Sequence, residues 1–164
     1  MKKAVITLVA LIALMGVGFW QFSGADKIAP DITFVTLTGQ KITPADLRGK
    51  VVLVDFWATS CLTCIQQMPG MIKIYNKLAP KGYEAIFVAM QYDPPNYVQN
   101  YTQTRKLPFP VVIDAQGQIA KAYGNISLTP TAFLIDKQGH IMKRYLGKHN
   151  VVAFTNTIEK ALAG

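Results

Sequence analysis

Seven consecutive residues, Val51 to Trp57 (VVLVDFW), constrain the fold more than any other segment. A strand with one wet face alternates apolar and polar residues, whereas a β-branched and aromatic run without alternation reads as a strand covered on both faces. It is therefore a central strand. After a loop at Ala58 to Ser60, apolar residues Ile65, Met68, Ile72, Tyr75 and Ala79 recur at helical spacing. This predicts a helix from about Leu62 to Ala79, kinked by Pro69. Gly82 ends that element and Ala85 to Met90 forms a second apolar strand. A strand, helix, strand unit of this length makes its strands parallel, so the sheet belongs to an α/β domain.

The flanking segments read as smaller pieces around that unit. Lys27 to Ile32 is an extended lead-in, followed by strands at Phe34 to Leu37 and Lys41 to Thr43 about a turn at Gly39, then one helical turn at Pro44 to Arg48. Pro94 and Pro95 open a weaker helix to about Arg105, and Val111 to Ile113 is a short strand before a turn at Asp114 to Gly117. Ile119 to Tyr123 is expected to pair back as a further strand. Ala132 to Ile135 and His140 to Tyr145 form a hairpin, and Asn150 caps a final helix to Leu162. No repeat, internal linker or low-complexity tract divides this stretch.

The first residues are of another kind. Ala4 to Trp20 carries no charge and follows Lys2 and Lys3, the pattern by which an export signal leaves its positive end inside and sends the rest of the chain across the membrane. Residues 1–25 are thus expected to be a membrane anchor or signal segment, with 4–22 as the anchor and 26–164 as the extracytoplasmic domain. Small residues Ser23 and Ala25 would permit cleavage, while Trp20 and Phe22 suit an interfacial anchor. Of seventeen basic residues only Lys2 and Lys3 fall in this segment, so the domain sets fifteen against nine acidic ones, a net +6. The basic residues are scattered without an aromatic-interleaved stripe, which argues against a nucleic-acid track.

A chain of this size can bury a sufficient core without a staple, so its two cysteines need another explanation. Cys61 stands where the loop from the buried strand enters the helix, and Cys64 is one turn further on. Helix N-terminal amides favour a thiolate and should draw the Cys61 pKa below the free value of about 8.5. Cys61 then acts as nucleophile, and Cys64 can displace it from a mixed disulfide. A purely structural disulfide would constrain little of the unfolded chain across so short a loop. A metal site would need more ligands: His140 reads as hairpin surface, His149 as the approach to a helix, and Met68 as core.

Asp55 lies mid-strand among Val, Leu and Phe, where an unpaired carboxylate is costly. Desolvation raises its pKa and suits it to accept the Cys64 proton, by way of a water; the alternative is a structural carboxylate satisfied by a lysine or backbone amides. Trp57 covers the pair's apolar surround or serves packing alone. Pro130, after Thr129 at a strand entrance, would expose the Thr129 backbone to a substrate peptide if its peptide bond were cis.

The domain resembles the membrane-tethered thioredoxin-like proteins of bacteria related to TlpA and ResA. The resemblance spans nearly all of Ala29 to Leu162 and rests on APDITFVTLTGQ, LRGKVVLVDFWATSCLTC, Pro69, FPVVIDAQGQIAKAYG and TPTAFLIDKQGHI. It implies a thioredoxin-like central mixed sheet flanked by helices, with an N-terminal β-hairpin and a strand-containing insert, Phe109 to Tyr123, before a cis-proline loop. It also implies a thiol-disulfide oxidoreductase on the periplasmic or outer face of the membrane, with Cys61 the exposed nucleophile, Cys64 the resolving thiol and Pro130 the cis-proline facing them. Thr129, Trp57 and Leu62 are the expected substrate contacts, and no cofactor or metal is expected. The implied partners are disulfide-bearing exported proteins, such as apocytochrome c or copper-site proteins, and a membrane thiol-electron donor; the protein itself is expected to be a monomer. Ser60, Leu62 and Asp55 depart from the commonest residues of this branch, tryptophan, proline and asparagine. An oxidant or isomerase, and a Cu(I) carrier using the cysteines with Met68, are the rival readings.

Overall fold

The structure, a computed structural model, describes residues 27–164. The expected anchor at 4–22 lies outside the described residues, and among those described no helix is long and apolar enough to cross a membrane.

Five strands form the central sheet: β3 (Val51–Trp57), β4 (Tyr83–Ala89), β5 (Val111–Ile113), β6 (Thr131–Ile135) and β7 (Ile141–Leu146), in the order β5-β4-β3-β6-β7. β3, β4 and β5 run parallel, β6 pairs antiparallel with β3 and β7 antiparallel with β6, so the sheet is mixed. The run at Val51 to Trp57 is central as expected, and every one of its residues is buried. Its alternating side chains feed two cores. Val51, Leu53 and Trp57 join Met68, Met71, Phe154 and Ile158 on one face. Val52, Val54 and Phe56 join Phe34, Ile42, Tyr123 and Phe133 on the other. A strand with helices or loops on both sides has no polar face to show, which explains the unbroken apolar run.

Helix α2 (Leu62–Leu78) and helix α5 (Val151–Ala163) cover the first face. α2 begins at Cys61 and runs through Pro69, ending in a short turn closed by Gly82 at φ 94°, a backbone conformation that favours glycine. α5 begins where the side chain of Asn150 accepts from the Ala153 N–H at 3.0 Å. Helix α3 (Pro95–Arg105) follows β4, with Val98 as its fully buried anchor. The second face is covered by the hairpin of β1 (Phe34–Val35) and β2 (Lys41–Ile42), by the single turn α1 (Pro44–Leu47), and by a short helix α4 (Gln118–Ala122).

That last helix corrects the expected strand at Ile119 to Tyr123. The Asp114 carboxylate is buried and accepts from the Ile119 N–H at 3.1 Å and the Ala120 N–H at 2.8 Å. These bonds tie up backbone donors that a strand would have needed for its ladder, and Gly117 at φ 67° turns the chain into the helix. Ile119 and Tyr123, four residues apart, then face the sheet together. Val111 to Ile113 remains the strand of the insert.

Candidate functional site

Cys61, Cys64, Thr129 and Pro130 lie at one end of the sheet. β3 and β4 point their C-terminal ends there, β6 starts there, and α2 and α3 begin there. The register pairs Phe56 with Thr131, so Pro130 enters β6 opposite the end of β3 from which the chain passes into Cys61.

Cys61 is the N-cap residue of α2, with its backbone extended at φ −84° and ψ 99°. Its sulfur takes the part that a serine or aspartate oxygen plays at other caps, accepting from the Cys64 N–H at 3.2 Å. No acidic residue sits in the first turn to oppose negative charge there. The sulfur of Cys61 is joined to that of Cys64 in a disulfide, with Cα atoms 5.3 Å apart. The two are unequally accessible. Cys61 is half-buried, Cys64 is 4% exposed, and Leu62 between them stands 71% exposed.

Asp55 lies on the face of β3 that α2 covers, in line with Leu53 and Trp57, and is almost fully buried. Burial pushes its carboxyl up to about 8 because the charged form has lost its water without gaining a counter-ion. Oδ1 is buried and has no hydrogen-bond partner. The alternative of a carboxylate satisfied at that oxygen by a lysine or by backbone amides is therefore not what the fold provides.

The Thr129–Pro130 peptide bond is cis. On either side of Thr129 the carbonyls are taken: Leu128 O accepts from Thr131 Oγ1 at 2.7 Å and Pro130 O from the Gly147 N–H at 2.8 Å. The Thr129 backbone has no intrachain partner among the described residues. Its hydroxyl lies 3.4 Å from that of Tyr92, which leans in from the segment after β4. Leu128 and Tyr92 are both exposed beside it.

Trp57, expected among the substrate contacts, has no exposed surface; it packs against Tyr101 of α3 with ring centroids 5.5 Å apart. It supports the loop from beneath. Met68 is 1% exposed within the core, and His140 pairs with Asp136 at 3.3 Å on the hairpin. His149 packs on Phe154 at 4.4 Å, and its backbone N–H donates to Gln67 Oε1 at 3.3 Å, one turn beyond Cys64. Among the described residues no group of three or more His, Cys, Asp or Glu side chains converges as a metal site.

One contact was not foreseen. The carboxylate of Asp93, in the turn that follows β4, accepts from the Thr59 N–H at 2.6 Å and from Thr59 Oγ1 at 2.5 Å, fixing the loop two residues before Cys61. In the sequence Asp93 is a single acidic residue between Tyr92 and Pro94, with nothing in its spacing to mark a partner so far away.

The comparisons agree with this geometry. The family described as Redoxin matches residues 24–162. The thiol-disulfide oxidoreductase ResA of Bacillus thuringiensis subsp. konkukian is 38% identical over 158 residues, covering 90% of each chain. The thioredoxin-like protein YneN of Bacillus subtilis is 32% identical, covering 87% of each. Among solved structures, a thiol:disulfide interchange protein of the thioredoxin family from Chlorobium tepidum superposes with a TM-score of 0.77 at 28% identity, over 84% of this chain and 97% of that one. The chain belongs to the Redoxin family and is a thioredoxin-fold thiol-disulfide oxidoreductase related to ResA.

Proposed function

We propose that the domain reduces disulfides of exported proteins, with Cys61 as nucleophile and Cys64 as resolving thiol. The observation that carries this reading is the asymmetry of the pair: a half-buried sulfur at a helix cap with an N–H aimed at it, and a buried sulfur beneath. In the reduced protein the Cys61 thiolate attacks one sulfur of a substrate disulfide. The substrate S–S bond breaks, and the other substrate sulfur leaves as a thiolate that takes a proton from solvent. Asp55 accepts the proton of Cys64, whose thiolate then attacks Cys61 Sγ and expels the second substrate sulfur. A membrane dithiol returns two electrons to the Cys61–Cys64 disulfide.

Substrate alignment falls to Thr129, whose backbone, beside the cis Pro130, has no partner among the described residues and can pair with an extended peptide. Leu62 borders the same opening and Trp57 supports it from below. The N-terminal segment tethers the domain at the outer face of the cytoplasmic membrane, where disulfides persist in exported chains.

Trapping tests the cycle and its direction together. Cys64→Ser should accumulate mixed disulfides between Cys61 and exported proteins, identified by mass spectrometry after non-reducing separation, whereas Cys61→Ser should trap none. Recovery of adducts through Cys64 alone would reverse the roles of the two sulfurs. Faster turnover as an oxidant of reduced substrates than as a reductant of oxidised ones would remove the reductase assignment.

A further inference from the structure

Asp93 is 2% exposed and belongs to neither the dithiol nor the substrate opening, yet it holds the chain that enters Cys61. The Thr59 N–H can only donate, and Thr59 Oγ1 donates to the other oxygen, so both Asp93 oxygens act as acceptors, as in a carboxylate. Asp93 takes part in none of the ion pairs among the described residues. Thr59 and Cys61 are two residues apart, at most about 7 Å between their Cα atoms, and a charge buried in the protein is screened much less than one in solvent.

Few other charges act there. The first two turns of α2 have none, and neither does the loop 125–130; the connection from β7 to α5 brings Lys148 and His149, Arg105 at the end of α3 lines a cavity together with Thr59, and Asp55 lies on the face of β3 that α2 covers. The helix N-terminus favours negative charge on Cys61 and Asp93 opposes it. A disulfide is uncharged, so a fixed anion beside the pair penalises only the reduced, ionised form.

We infer that Asp93 is a positioning residue with an electrostatic role: its two bonds to Thr59 fix the Cys61 loop, and its charge biases the pair toward the disulfide, making the dithiol a stronger reductant. The inference rests on the proposed reductase reading with Cys61 as nucleophile.

Two measurements on the full-length protein test it. One is the pH dependence of iodoacetamide alkylation of the reduced form, with the alkylated residue identified by mass spectrometry. The other is equilibration with glutathione, in which the protein disulfide and two glutathione thiols exchange for the protein dithiol and glutathione disulfide. Asp93→Asn should lower the alkylation midpoint by about half a pH unit, a roughly three-fold rise in thiolate at pH values below it. It should also favour the dithiol about three-fold, equivalent to roughly 14 mV for a two-electron couple. Asp93→Glu keeps the charge and should restore both values toward wild type.

Thr59→Val keeps the charge but removes one bond. It should slow attack on substrate without lowering the midpoint, and this variant decides the matter if Asp93→Asn does not fold. Unchanged midpoint and equilibrium in Asp93→Asn, or a lowered midpoint in Thr59→Val, would overturn the electrostatic role. Alkylation of Cys64 instead of Cys61 in the wild-type protein would overturn the nucleophile assignment alone, because the glutathione equilibrium belongs to the pair and still reports on Asp93.

Discussion

Asp55 of β3 is paired in register with Ala132 of β6, whose methyl group offers its carboxylate nothing to bond. The neighbour on the other strand, Phe87 of β4, offers nothing either. The carboxylate is therefore held in an apolar row across the middle of the sheet, on the face that α2 covers. A retained acid in such a row costs stability whenever it must ionise.

That cost sets a pH dependence of stability with a definite sign. In the unfolded chain Asp55 ionises near its ordinary value of 3.8, and in the folded domain only near 8. Between these values the folded state holds one proton more than the unfolded state, so stability falls as pH rises through the window and levels off above it. The full effect is on the order of 5 kcal/mol. Asp55→Asn should flatten this slope, so thermal or urea unfolding at pH 5 and pH 8 should differ much less in the variant than in wild type. Equal slopes in the two proteins would mean that Asp55 is ionised throughout.

The same substitution tests the proposed proton transfer. Asn cannot accept a proton, so resolution of the mixed disulfide by Cys64 should slow about 100-fold near neutral pH. The attack by Cys61 on a substrate disulfide should change little. Stopped-flow measurement of the two steps across pH 6 to 8 separates them. A second step that is as fast in the variant, with the same pH profile, would leave Asp55 a structural role only.

The elements that the sequence made readable are those in which one local signal decides the outcome. Val51 to Trp57 has no polar face, and a strand covered on both sides follows; Asn150 stands before an apolar-periodic stretch, and a capped helix follows. Cys61 and Cys64 were legible for the same reason, since a strand, a short loop and a helix start lie within a few residues of them. What could not be read locally is set by distant partners. Ile119 to Tyr123 is short and apolar enough to be read as a strand that pairs back, and it is the carboxylate of Asp114, further back in the chain, that holds its first N–H groups in α4. Trp57 reads in the sequence either as a cover for the cysteine pair or as packing, and Tyr101 of α3, closing over it, makes it packing; Asp93 bonds a threonine that precedes it by most of a strand, helix, strand unit.

Asp114→Ala measures how strongly that choice depends on one side chain. The variant leaves the buried N–H groups of Ile119 and Ala120 without an acceptor, at a cost of about 2 kcal/mol or more. Hydrogen exchange should show protection lost first in 117–126, while the strands β3 and β6 stay protected. Uniform loss of protection across the domain would mean that the insert and the sheet unfold as one unit.

The redox end of the domain is apolar on a protein that is otherwise basic, and this bears on how substrates are held. Leu62, Leu128 and Tyr92 stand 71%, 62% and 54% exposed there, and residues 58–66 and 125–131 contain no charged side chain. Docking of an extended substrate segment should therefore draw on apolar burial, which salt does not screen, and not on the net positive charge of the surface. With an oxidised peptide substrate, kcat/KM should vary less than about two-fold between low salt and 0.5 M salt. Leu128→Asp should raise KM on the order of ten-fold, the equivalent of losing a partly buried leucine, while kcat is held. A steep fall in kcat/KM with salt, together with a wild-type KM for Leu128→Asp, would mean that recognition is electrostatic and lies elsewhere on the surface.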